Sequence, residues 1–113
     1  MRLKYYHDGK VIGFYELNGF PGCNQVAVSN HAWISPDQRG NGYGDAAHKQ
    51  RLKEAQELGY DYIICTVDRA NEVQCHILEK NNWYNLDDFV NRETGKTIKI
   101  YGKKLDSRPP VVV

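Results

Sequence analysis

The chain has 113 residues with 15 basic and 14 acidic side chains, a formal charge of +1, which fits one soluble domain and argues against a protein whose affinity rests on a nucleic-acid phosphate backbone, since that needs a clustered basic excess. No apolar run approaches the roughly 20 residues of a membrane span, and the start Met1-Arg2-Leu3-Lys4-Tyr5-Tyr6-His7 has no signal-peptide core, so no membrane partner and a cytoplasmic address are expected. Three cysteines (Cys23, Cys65, Cys75) without a C-x-x-C pair and four histidines (His7, His31, His48, His76) without ligand spacing exclude a disulfide framework and leave no metal site to propose.

In chain order, Leu3 to Tyr6 and Val11 to Leu17 are β-branched and aromatic runs separated by His7-Asp8-Gly9-Lys10, and an Asp-Gly pair between such runs predicts an antiparallel hairpin. Asn18 to Asn24 is dense in turn formers and reads as a loop feeding a third strand from about Gln25 to Ile34. Val26, Val28, Ala32 and Ile34 are expected on one face of that strand, which Ser35-Pro36-Asp37 ends because proline cannot donate to the ladder. After a glycine-rich stretch, Ala47, His48, Leu52, Ala55 and Leu58 recur at helical spacing and Gly59 follows as a stop, giving one helix of about four turns.

Tyr60 to Val67 is an apolar run without strict alternation, which predicts a central strand covered on both faces. Asn71 to about Asn81 reads as a second helix with Val73, Ile77 and Leu78 on its apolar stripe. Strands at about Tyr84 to Val90 and Thr97 to Lys104 flank an Asn91-to-Gly95 turn. The expected class is mixed α/β, more specifically α+β with a mostly antiparallel sheet, in one domain over residues 1–105. Residues 106–113 read as a flexible tail, since Pro109 and Pro110 break regular structure ahead of three valines.

The chemistry concentrates in Arg39-Gly40-Asn41-Gly42-Tyr43-Gly44, between a strand and a helix. Three glycines in five positions let successive backbone N–H groups point into one concavity at the positive end of a helix dipole, and Arg39 adds a bidentate fork suited to phosphate oxygens. A P-loop would need Gly-Lys-Ser/Thr where Asp45 and Ala46 follow Gly44. A dinucleotide fingerprint would need G-x-G-x-x-G rather than the G-x-G-x-G present.

The turn instead resembles the acetyl-coenzyme A signature R/Q-x-x-G-x-G/A of the GCN5-related N-acetyltransferases (GNAT), met by Arg39, Gly42 and Gly44, with Ile34 and Pro36 at the positions of the family's upstream valine or isoleucine and proline. A second block, N-x-x-A-x-x-L-Y-x-K-x-G-F, is echoed by Asn71, Ile77, Lys80 and Trp83. The resemblance implies a GNAT-like acyl-CoA N-acyltransferase fold, with acetyl-CoA as acetyl donor and a primary amine as acceptor. It implies cofactor contacts from Ile34, Arg39, Gly40, Asn41, Gly42, Tyr43, Gly44 and Asn71, the last equally suited to capping the second helix.

The sequence departs from the family at Leu78, where a tyrosine usually protonates the leaving thiolate, at Gln74, where alanine is common, and at Asn82, where glycine is common. The opening hairpin corresponds to the family's second and third strands, so the fold is expected to be N-terminally truncated, without the usual first strand and acceptor-walling helices. An edge so uncovered predicts a homodimer. His31 is the candidate base for the acceptor ammonium and Tyr84 the candidate acid. Tyr43, inside the phosphate turn, is an equal candidate for the acid, and Cys75 and His76 are further candidates for a chemical role. The competing expectation is a coenzyme A-binding or interaction module that keeps the fold without the reaction.

Overall fold

The computed structural model describes residues 1–105 of the chain, so the expectation for the 106–113 tail lies outside the described residues. Six strands and two helices follow the order β1 (Arg2–His7), β2 (Lys10–Phe20), β3 (Cys23–Ile34), α1 (Tyr43–Glu57), β4 (Tyr62–Asp68), α2 (Glu72–Lys80), β5 (Tyr84–Val90) and β6 (Thr97–Lys104). They form one sheet in the order β1-β2-β3-β4-β6-β5, in which only the β3–β4 pairing is parallel. This is the mixed, mostly antiparallel sheet expected.

The first hairpin closes through Asp8 (φ 49°) and Gly9 (φ 75°), the two consecutive left-handed residues that a type I′ turn demands. The expected loop from Asn18 to Asn24 is instead the end of one strand and the start of the next: Asn18 pairs with Val28 and Gly19 with Ala27, and only Pro21-Gly22 lies outside the strands. Proline's fixed φ and Gly22's φ of 83° suffice for the reversal, so the flanking turn formers are absorbed into strand ends.

On β3 the expected face is wrong. Ala27 and Ser29 are the buried residues, while Val26 and Val28 are half-buried. Nor do Val26 and Val28 share a face with Ala32 and Ile34, because of a bulge: Phe14 pairs with Trp33 but Glu16 with Asn30, so β3 carries one extra residue and its alternation changes sides between Asn30 and Trp33. Opposite the bulge, Gly13 approaches β3 so closely that an added Cβ would lie 2.1 Å from the Trp33 carbonyl oxygen.

Both helices pack on the face carrying Ser29, Cys65 and Tyr101, where Arg51 of α1 reaches Ser29 and Glu79 of α2 accepts from the Tyr101 hydroxyl. The core beneath them joins Tyr5, Tyr15 and Leu17 of the first hairpin to Ile63, Val67, Leu78 and Trp83. The opposite face of the sheet is less covered, so β4 is central yet alternates: Ile63, Cys65 and Val67 are buried and Thr66 is exposed, against the expectation of cover on both faces. In α2 the buried residues are Cys75 and Leu78, and Val73, expected on the apolar stripe, is 73% exposed. No helix among the described residues is long and apolar enough to cross a membrane.

Candidate active site

The strand-turn-helix segment begins at Ile34, passes through one 3-10 turn at Pro36–Gln38, and enters α1 at Tyr43. Gly40 (φ 79°) and Gly42 (φ 76°) adopt left-handed backbone, and a Cβ built on either would meet nothing within 4 Å, so both border open space. Gly42 is the N-cap of α1 and offers no side-chain acceptor, although the first turn of a helix has amides without intrahelical partners. These amides and the helix dipole make a site for an anion.

Arg39 folds back over the strand end: its Nε donates to the Ile34 carbonyl oxygen (2.8 Å) and its guanidinium carbon lies 5.9 Å from the Trp33 ring centroid. Asn41 donates through Nδ2 to the Gln38 carbonyl (3.3 Å) and so ties down the turn. Tyr43 tilts against His7 with ring centroids 4.3 Å apart, which fixes the phenol at the turn's flank. Gly44 would place a Cβ 3.2 Å from Ile77 Cδ1, so its lack of a side chain lets α1 and α2 approach.

Asp45, an acid beside this anion site, is offset by its neighbours. Asn81 donates to it (3.1 Å) and Lys49 and Lys80 stand 3.3 and 3.5 Å away. The Asn81 bond, ahead of the lysines, holds its carboxyl below the usual range.

A cleft lies between two diverging strands, one of which leads into the turn. β3 and β4 pair only at Val26↔Tyr62, Ala27↔Ile63 and Val28↔Ile64, so beyond these their facing backbone groups have no partner across the gap. A cavity of about 230 Å³ occupies this wedge, lined by Ser29, Asn30 and Ala32 of β3, Cys65 to Asp68 of β4, Arg51 of α1, and Asn71 and Gln74 at the start of α2. Asn71 caps α2, its Oδ1 accepting from the Gln74 amide (3.2 Å), and it faces the wedge as well. Burial pushes the Cys65 thiol up to about 11, which disfavours its thiolate.

A polar cluster that sequence reasoning missed borders the wedge through Arg51 and Ser29. Arg51, only 2% exposed, donates to Ser29 Oγ (3.3 Å) and approaches His48 Nδ1 (3.1 Å), while the Trp83 indole N–H approaches His48 Nε2 (3.3 Å). His48 is itself buried, and burial first, then the Arg51 charge, pushes it down to about 4. The available signal was the helical stripe of Ala47, His48 and Ala55, on which Arg51 occupies a buried position that pattern alone would fill with an apolar residue.

Of the residues expected to act chemically, His31 lies on β3 between the wedge residues Asn30 and Ala32. Tyr84 lies on the edge strand β5, 69% exposed and outside the wedge lining. His76 is exposed, and Cys75 is buried with its Sγ 3.9 Å from the Asp68 carbonyl. Leu78 is fully buried in the core and does not line the wedge.

Comparison with known proteins gives this arrangement a family. None of the curated proteins matches the chain. Among solved structures, yncA of Salmonella typhimurium, determined with its cofactor acetyl-CoA, superposes with a TM-score of 0.78 at 15% identity over 98% of this chain and 69% of its own. An N-acetyltransferase from Staphylococcus aureus Mu50 gives 0.77 at 18% identity, covering 93% of this chain and 67% of that one. The ribosomal-protein-S18-alanine N-acetyltransferase of Escherichia coli gives 0.79 at 13%, covering 100% and 74%. At these identities the likeness speaks for the fold. The family model of the GNAT acetyltransferases, in turn, matches residues 2–83, a span that holds the glycine turn, the wedge and the whole of the second block. The chain belongs to the acetyltransferase (GNAT) family.

Proposed function

We propose that the protein transfers an acetyl group from acetyl-coenzyme A directly to a primary amine. The observation that carries this reading is two features joined through one strand: an uncapped helix start with two left-handed glycines follows β3, and β3 also borders a wedge where its pairing with β4 stops at Val28↔Ile64. The first suits a pyrophosphate and the second an extended arm with amide groups, so the residues present fit the donor.

When bound, acetyl-coenzyme A supplies an activated thioester. The amides of Gly40, Asn41, Gly42, Tyr43 and Gly44 hold its phosphates, and Arg39 lends charge at the turn's mouth. Ile34 contributes backbone at the wedge entrance, and Asn71 closes the opposite rim. The unpaired N–H groups near the end of β3 supply fixed dipoles for the carbonyl oxygen as negative charge develops on it. Holding donor and amine in one cleft removes much of the entropic barrier. An amine arrives as an ammonium, and His31, beside the wedge in the chain, is the residue we assign to take its proton. Tyr84 reaches the reaction only if the acceptor brings it into the site.

One observation favours a second reading, a coenzyme A-binding module without turnover: Leu78, at the position of the family's tyrosine, is packed wholly into the core. A panel of lysine peptides, free N-termini, polyamines and drug-like amines, read by thiol release, separates the two. Amine-dependent release with at least one acceptor is expected. Binding of coenzyme A with no release on any amine would establish the module.

A further inference from the structure

Arg51 stands out in this molecule as a buried cation that no described carboxylate neutralises. It is 2% exposed, its Nε has no hydrogen-bond partner, and its partners are a serine hydroxyl and a ring nitrogen of an imidazole. The imidazole is a poor partner, because both His48 nitrogens face donors, Arg51 on one side and the Trp83 N–H on the other. A neutral imidazole accepts at one nitrogen only. The cluster therefore holds more donors than acceptors, around a full charge removed from water, an arrangement costly unless something supplies the missing acceptor.

The position of the guanidinium indicates where that acceptor comes from. Arg51 lines the wedge cavity from its buried side, while Ala32, Thr66 and Asn71 at the same cavity are exposed. The one carboxylate in the lining, Asp68, is committed elsewhere: Oδ1 accepts from the Ala70 amide (2.9 Å) and Oδ2 faces Lys96 (3.6 Å). Its negative charge also disfavours a dianion in the same cavity. The remaining polar lining, Ser29, Asn30, Thr66, Asn71 and Gln74, is uncharged.

We propose that Arg51 is the floor of a carboxylate subsite in the wedge, and that one substrate of this protein carries the carboxylate. Resting on the donor placement proposed above, the carboxylate is either the distal group of a dicarboxylic acyl chain on coenzyme A or that of an amino-acid acceptor. The chemistry is the same in both: a monoanion accepts from Arg51, whose Nε has no partner, and restores the balance of donors and acceptors.

The test compares succinyl-coenzyme A with butyryl-coenzyme A, which has the same chain length and a methyl in place of the carboxylate, and β-alanine with β-alanine amide as acceptors with acetyl-coenzyme A. In wild type, at least one pair is expected to show a preference of about tenfold or more for the carboxylate, the size of a charge-assisted hydrogen bond. Arg51→Met is expected to erase the preference and Arg51→Lys to keep part of it. Arg51→Met removes a buried charge without a counter-charge and is expected to fold, as a thermal melt checks, and Arg51→Gln serves as a second variant. Preference in the first pair assigns the carboxylate to the donor, in the second to the acceptor. Propionate alone, a monoanion, followed at the Trp83 indole proton, is expected to shift that resonance in wild type and not in Arg51→Met. That arm holds even if coenzyme A fails to bind, which would overturn the donor reading alone. With coenzyme A bound, a carboxylate preference in neither pair, or one that survives Arg51→Met, would overturn the subsite; where coenzyme A fails to bind, a propionate response that is absent or independent of Arg51 would do so.

Discussion

His48 is the residue whose environment most directly makes a solution prediction. Its folded pKa of about 4 lies below the ordinary imidazole value, so between those pH values the unfolded chain binds a proton that the native state refuses. Its contribution is fully present above about pH 6.5 and is lost as pH falls toward 4, on the order of 3 kcal/mol in all. Urea denaturation at stepped pH should show this decline, and His48→Phe should flatten it. A slope unchanged in the variant would place the titration elsewhere. Leu78 makes the second prediction at this scale. Fully buried as it is, it leaves no room for a phenol, so Leu78→Tyr is expected to lower stability by about 1–3 kcal/mol through overpacking without accelerating thiol release.

At the scale of elements, positive-φ and cap positions set what can be changed. Asn71→Ala removes the Oδ1 cap of α2 and should cost about 1 kcal/mol in chemical denaturation. Asn82 sits at φ 66°, where the family favours glycine. Asn82→Gly should therefore be nearly neutral and Asn82→Ala destabilising by about 1 kcal/mol. Gly13→Ala, with a Cβ 2.1 Å from a backbone carbonyl, should be the most damaging of the set.

Local chemistry written in short spans was legible in the sequence: the Asp8-Gly9 hairpin, the glycine turn before α1, the Asn71 start of α2 and the last two strands all lie where the residues indicated. The β3 bulge was not, because it is set by pairing with β2 rather than by β3's own residues. Neither was the Arg51 cluster, whose members come from β3, α1 and the start of the chain after α2.

At the scale of the whole molecule, the sheet is unevenly covered. β5 is an edge strand exposed along its full length, with Tyr84, Leu86, Phe89 and Val90 in the open, and Trp33 is 43% exposed. Open edges with apolar side chains invite pairing, so sedimentation equilibrium at micromolar concentration is expected to give about twice the chain mass of 13.0 kDa. A mass of a single chain would remove the homodimer from the account.

Calorimetry decides whether the turn before α1 holds the phosphates of coenzyme A. Titrating acetyl-coenzyme A into the wild type should give saturable binding at one site per chain. Gly42→Trp, which forces a side chain onto a left-handed N-cap and into the open concavity, should abolish that heat while its thermal melt shows a folded protein. Absence of binding to the wild type, or undiminished binding to Gly42→Trp, would contradict the account.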